Sequence, residues 1–254
     1  MESGWWGSED RPTWIDQRAL PSLVLALLLP IPGRASHGFG VHPPRCGGCW
    51  TLARMAVSPP SASDCRGELL HLLRDRGHAG SVAEAPRVRE LLQRLERLQP
   101  ANLLVDSDRL SGVWELRWSS GNQPYLAVAP WLQNLQLLDP RRGRAMNLLR
   151  LAGPIAPLAG IAVQAKITVE GAQRVGVRFV KGGWLGPRIA ERRLQLLRAV
   201  NQSFPAWLDI TVLDDDLRVC RGNAGTLFAL VRRPELRVQD FFATDPDGAA
   251  PPPV

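Results

Sequence analysis

Catalysis and metal binding need particular side chains brought together, and in these 254 residues the candidates are few. The four histidines are His37, His42, His71 and His78. No imidazole can come from beyond residue 78, so Ser-His, Cys-His and His-metal sites are excluded from the long C-terminal part unless the N-terminal segment folds back onto it. Cys46 and Cys49 form one CxxC, Cys65 stands alone and Cys220 lies far downstream. A single CxxC is a weak zinc or redox signal, and four cysteines at these spacings do not describe a disulfide framework. Free thiols in a reducing compartment are expected. Asp214, Asp215 and Asp216 could hold a cation or pair carboxylates for acid-base work. Three successive residues on a hairpin tip splay apart and lack supporting ligands, so they read as a solvated turn. No catalytic residue and no metal ligand is assigned, and the chain is read as a non-enzyme.

The Asp run belongs to WLDITVLDDDLRVCRGNAGTLFALVR, residues 207–232. Three apolar or alternating runs, Trp207 to Leu213, Leu217 to Arg221 and Thr226 to Arg232, are separated by three and four residues. Loops that short join only antiparallel neighbours, so this is a strand meander. Gly222, Asn223 and Gly225 suit the positive φ values of tight hairpins.

Upstream, the alternation in Gly112-Val113-Trp114-Glu115-Leu116-Arg117-Trp118 points Trp114, Leu116 and Trp118 one way, and Glu115 and Arg117 to a wet face. Further strands are expected at 125–129, 132–138, 145–151, 160–169, 174–180 and 193–198. In the long hairpin Ile161, Val163, Ala165, Ile167 and Val169 share a face, as do Val175, Val177 and Phe179. Roughly eight to ten short antiparallel strands are within the size of a small closed barrel. Before them, Leu69, Leu70, Leu72 and Leu73 mark one helix, capped by Ser63 or Asp64 and stopped at Gly77. Val88, Leu91, Leu92, Leu95 and Leu98 mark a second, ended by Pro100.

The expected organisation is a leader over 1–62, a helical segment over 63–100 packing on the strands, the β region over 101–233 and an unordered Pro-rich tail over 234–254. Residues 1–54 carry four of nine tryptophans and no sustained period. The apolar run Leu20 to Ile31 is too short to span a bilayer. Glu2, Glu9, Asp10 and Asp16 ahead of it spoil an export signal, so Met55 is expected as the true start. The net charge of +7 is almost all arginine, since Lys166 and Lys181 are the only lysines. Arginine is scattered among Asp and Glu, which argues against nucleic acid and leaves contact with anionic headgroups open.

Two stretches carry a resemblance. Leu91 to Ser120 joins a helix ending LxxLExLxP to Leu110-Ser111-Gly112-Val113-Trp114-Glu115-Leu116. The meander joins Leu208-Asp209-Ile210-Thr211 and Leu213-Asp214-Asp215-Asp216-Leu217-Arg218-Val219 to Arg221-Gly222-Asn223-Ala224-Gly225 and Leu227-Phe228. Over about residues 66–233 the sequence resembles the plastid lipid-associated protein family, the fibrillins or plastoglobulins of plastids and cyanobacteria. That family is similar to lipocalins, and Gly112-x-Trp114 matches the lipocalin opening signature. The resemblance implies a mainly β fold with α: an antiparallel lipocalin-like β-barrel preceded by an N-terminal helical pair. Val212 stands where a tyrosine is usual, and Cys220 where a small polar residue is common.

Function follows as an expectation: binding or coating of apolar lipids or isoprenoids, such as a carotenoid, a prenylquinone or a membrane lipid. The alternative is a scaffold protein of the membrane surface with a filled barrel; a lipid-modifying enzyme ranks below both. The candidate lining is Trp114, Leu116, Trp118, Val177, Phe179, Leu208, Ile210 and Phe228. Gly112, Asp209, Asp214, Asp216, Arg218, Arg221, Gly222 and Gly225 form the structural motif. Arg218 or Arg221 is expected across the Trp114 ring. The seam between residues 112–118 and the meander is the expected place for an opening. No cofactor is expected beyond a bound carotenoid, quinone or lipid. Partners are apolar small molecules and, peripherally, a membrane, with no nucleic acid. The place is the cytoplasmic side of a thylakoid or other membrane in a cyanobacterium, towards which the arginine bias leans, or the plastid in an alga or plant.

Overall fold

A computed structural model of the chain describes residues 60–74, 84–121, 126, 128–156, 158, 160–190, 192–201, 205–223 and 225–242. The run at 20–31 and the Cys46/Cys49 pair lie outside them. Two helices, α1 (Ala62–Arg74) and α2 (Ala85–Leu98), and the one-turn α3 (Leu103–Asp106) precede the strands. These are β1 (Gly112–Ser119), β2 (Leu132–Asp139), β3 (Arg144–Leu151), β4 (Gly160–Val169), β5 (Arg174–Ile189), β6 (Arg192–Ala199), β7 (Ala206–Leu213), β8 (Leu217–Gly222) and β9 (Leu227–Arg232). Of the strand expected over 125–129, Tyr125 and Ala127 lie outside the described residues; Leu126 is in a 3-10 turn and Val128 and Ala129 are irregular.

The pairing order is β4-β3-β2-β1-β9-β8-β7-β5-β6, and β4 also pairs with β5, so eight antiparallel strands close a ring. The sixteen-residue β5 runs well past the expected end at Val180 and divides one edge between two partners. Arg174 to Val177 pair with β7 and close the ring; Lys181 to Ile189 pair with β6, which stands outside it.

Apolar side chains sort into three layers. Inside the ring lie Trp114, Leu116, Val163, Ile167, Phe179 and Ile210 among others. Outside, α1 and α2 cover β7, β8, β9 and β1 through Leu69, Leu73, Leu91 and Leu95 against Trp118, Val212, Val219 and Ala229. On the opposite wall Val238 and Phe241 cover Val113, Leu135, Leu137 and Leu148. Helices of this length are marginal alone in water, so α1 and α2 owe their order to this docking. At the start of α1, Ser61 and Asp64 cap each other reciprocally, with Asp64 N donating to Ser61 Oγ at 3.2 Å and Ser61 N to Asp64 Oδ2 at 3.0 Å. The N-cap is therefore Ser61, not Ser63 or Asp64.

Other expectations change for the same reason, burial on both faces of the sheet. Glu115, expected on a wet face, is buried and ion-paired to Arg233, with Arg117 at 3.5 Å. The tail expected to be unordered from residue 234 instead packs Leu236, Val238 and Phe241 on the ring, while 243–254 lie outside the described residues.

Candidate functional site

The ring encloses a cavity of about 140 Å³. Its walls are mostly aliphatic: Ile161, Val163, Ala165 and Ile167 of β4 face Val175, Val177 and Phe179 of β5. Of the eight residues expected to line it, Leu116, Val177, Phe179, Leu208, Ile210 and Phe228 do so. Trp114 sits inside the ring behind that lining, and Trp118 does not face the cavity.

The misplacement of Trp118 has a mechanical cause. A bulge between Leu116 and Trp118 inserts one extra residue, which turns Trp118 outward against the helices. A second bulge between Ile210 and Val212 does the same on β7, leaving Ile210 inside and Val212 under the helices. The replacement of tyrosine at Val212 therefore bears on helix packing, not on the cavity.

Polar lining comes from β2 and β3, where Asn134, Gln136 and Asn147 face inward and Gln136 opposes Asn147. Sequence reasoning passed over them because Leu135 and Leu137 look like the inner face of β2. Those leucines are buried outside the ring instead, under the C-terminal segment.

One end of the ring is closed around Trp114. Its Nε1 donates to Leu110 O at 2.9 Å. Two guanidinium carbons lie near the ring centroid, that of Arg218 at 5.2 Å and that of Arg232 at 4.2 Å. Arg218 is wholly buried and donates to Gln136 Oε1 from Nη2, while its Nε and Nη1 find no hydrogen-bond acceptor among the described residues. Burial lowers the pKa of Arg218 and raises that of the neighbouring Cys220 thiol, which is left a poor nucleophile. Arg232, which no motif pointed to, donates to Ser111 O at 2.7 Å and to Arg109 O at 2.5 Å. Gly112 has φ +137°, and a Cβ there would lie 2.6 Å from Arg232 Nη1, so the glycine of the GxW pair makes room for this closure.

The remaining motif residues are clamps. Asp214, expected in a solvated turn, is only 13% exposed and accepts from Arg66 of α1 at 2.6 and 3.0 Å and from the amides of Asp216 and Leu217 at 2.8 Å. Burial alone would raise its carboxyl, but Arg66 and the two amides outweigh that and hold it below the usual range. Asp216 takes Arg66 Nη2 at 2.8 Å, whereas Asp215 is 84% exposed. Arg221 is not on Trp114; it grips Glu96 of α2 at 2.8 Å. Asp209 pairs with Arg174 across β7 and β5. Of the hairpin residues 222, 223 and 225, Gly225 alone takes a positive φ, +78°.

The β1 to β9 seam expected to open is paired from Trp114 with Arg232 to Ser119 with Phe228. The cavity instead reaches the end of the ring lined by Leu126, Leu149, Ile161, Ala206, Asn223 and Thr226. Beyond Val177, β5 has no pairing with β7 among the described residues and takes β6 as its partner instead. Among the described residues no group of histidine, cysteine and acidic side chains could hold a metal ion. No helix among them is long and apolar enough to cross a membrane.

Comparison with known proteins bears on this geometry. The PAP_fibrillin family model matches residues 66–231. The chain is 24% identical over 209 residues to a chloroplastic light-induced protein of Solanum tuberosum, covering 62% of this chain and 63% of that protein. It is likewise 24% identical over 206 residues to the chloroplastic plastid lipid-associated protein 2 of Brassica campestris, covering 62% and 64%. The chain thus spans under two thirds of the length of these relatives.

Proposed function

Since this chain belongs to the PAP_fibrillin family, we propose that it is a non-enzymatic protein that takes the apolar end of an isoprenoid or acyl lipid into its ring while working at lipid surfaces of a photosynthetic compartment. The observation that carries this reading is the aliphatic cavity open at one end of the ring. Ligand sites are concave and mostly apolar with a few placed polar groups, and Asn134, Gln136 and Asn147 supply such groups. Pockets for drug-sized ligands measure about 300–1,000 Å³, against about 140 Å³ here. The size therefore suits one inserted prenyl or acyl chain, not a carotenoid swallowed whole. The buried, desolvated Cys220 and the clamped Asp214 and Asp216 offer no nucleophile or general base, which favours binding over chemistry. The plastid names of the relatives support the compartment.

A ring filled by its own side chains, acting only through its surface, is the competing reading, and the modest cavity volume favours it. Titration with a fluorescent fatty acid and with a short-chain prenylquinone separates the two. Saturable binding that Ala165→Leu weakens by about tenfold or more is expected, since added bulk in an apolar pocket displaces ligand. Failure of the unmodified protein to bind either probe, or equal binding by the variant, would sink the reading.

A further inference from the structure

Exposed apolar side chains are not spread evenly. Nine of the twelve large ones exposed among the described residues fall within 131–196, and they gather at the open end of the ring. A cross-strand row explains how. Leu149 of β3 opposes Ile161 of β4, Ile161 opposes Trp184 of β5, and Trp184 opposes Leu196 of β6. Directly opposed residues share a sheet face, so this row is a single strip. It begins with Leu149 and Ile161 in the cavity wall and ends outside the ring on β6, where Trp184 is 40% and Leu196 65% exposed. Trp131, Ile155 and Leu158 extend the apolar rim at the same end. The inner face of the sheet thus runs out of the cavity onto an exposed apron, because β5 exchanges β7 for β6 there.

Charge is sorted along the same axis. From residue 116 to residue 208 the sequence carries thirteen arginines and lysines and only Asp139, Glu170 and Glu191 as acids. Asp139 and Glu170 sit in the turns at the other end, Asp139 held by Arg144 and Arg142. The Asp214 to Asp216 turn is also at that far end, beside the Trp114 closure. Arg198 shares the face of Leu196 on β6, while Lys181 lies on the other face of β5; both are exposed and have no carboxylate partner among the described residues. An apolar strip with an excess of basic neighbours, Asp240 at the β5–β6 end being paired to Arg188, complements an anionic lipid surface, whose field attracts each nearby cation.

We propose that this apron lies on an anionic lipid surface with the cavity mouth turned into it, so that a lipid chain enters the ring without crossing water. The proposal rests on the lipid-binding reading above and adds the face and the route.

The test is flotation of the full chain with phosphatidylcholine vesicles, with and without phosphatidylglycerol. The double variant Trp184→Ser/Leu196→Ser, its fold checked by circular dichroism, should partition about tenfold less or worse, as expected when Trp and Leu surface that the lipid would bury is lost. Arg198→Glu should weaken the phosphatidylglycerol dependence, and more than Lys181→Glu on the other face does, while Leu104→Ser/Val105→Ser at the far end should float like the unmodified protein. The apron variant should still bind a soluble prenylquinone with full affinity, and Ala165→Leu should still float although its ligand binding is weakened, so failure of the cavity reading and failure of the docking reading are distinguishable. Unchanged flotation of the apron variant would overturn the proposal. So would equal flotation without phosphatidylglycerol, or a dimer in solution that the apron variant dissociates, which would assign the face to a second copy.

Discussion

Replacing Trp114 by alanine tests the closed end of the ring directly. The side chain is fully buried, and Trp→Ala at such sites costs about 3–5 kcal/mol. Two further losses are specific to this place. Leu110 O gives up its donor, and the buried guanidinium of Arg218, two of whose nitrogens already lack an acceptor among the described residues, loses the ring beside it. A desolvated cation–π contact is worth about 2 kcal/mol. For a domain of this size each kcal/mol shifts the melting temperature by about 2–4 °C, so Trp114→Ala should lower it by roughly 6–20 °C. The coupling is read from a double-mutant cycle with Arg218→Met, followed by far-UV circular dichroism in urea. Arg218→Met alone should cost little, because a buried cation replaced by an apolar side chain of similar length is often neutral or better. In the Trp114→Ala background the same change should be more favourable by about 2 kcal/mol. Costs that add to within about 0.5 kcal/mol would refute the claim that the indole ring is what makes a buried Arg218 tolerable.

Trp118→Ala should destabilise by about 3–5 kcal/mol in the same urea assay yet leave prenylquinone affinity unchanged, since Trp118 packs under the helices and not in the cavity. Asp214 has a lowered pKa in the folded state, so its stabilisation is present above the ordinary carboxylate value near about 3.9 and is lost as pH falls through the folded value. Asp214→Asn should therefore be less stable than the unmodified protein at neutral pH by about 1–3 kcal/mol, with the gap narrowing in acid; a pH-independent gap in urea midpoints would count against the Arg66 clamp. Gly112→Ala should cost about 1–3 kcal/mol through its positive φ and the contact with Arg232, and Arg232→Ala should relieve the steric part of that in a thermal melt.

Period-two alternation placed β1 to β4 and β7 to β9 within a residue or two, because each strand has one face on the ring interior and turn residues at both ends. What alternation cannot register is an inserted residue. The bulges after Leu116 and Ile210 reverse the faces of Trp118 and Val212 without any change in local composition. Nor can it tell inside from outside when both faces are covered, which is why Leu135 and Leu137 concealed Gln136 and why Glu115 looked wet. The Asp run misled for a different reason. Its acids at residues 214 and 216 answer Arg66, 148 and 150 residues away along the chain, and no local pattern reports a partner so remote. Six of the eight expected lining residues were legible because they lie on strands where the alternation holds unbroken up to the cavity.

The pairing of Trp114 with Arg232 has a consequence for how the chain assembles. The ring can close only when its first and last strands meet, and contacts this distant in sequence make for slow folding. Helices α1 and α2 are synthesised before any strand, yet much of the surface that buries them, Val212, Val219 and Ala229, is made near the end. Leu69, Leu73, Leu91 and Leu95 must therefore wait, exposed, through the synthesis of the strands, as a sticky amphipathic pair. The pieces made first are docked last, and until then α1 and α2 have only each other to cover their apolar faces.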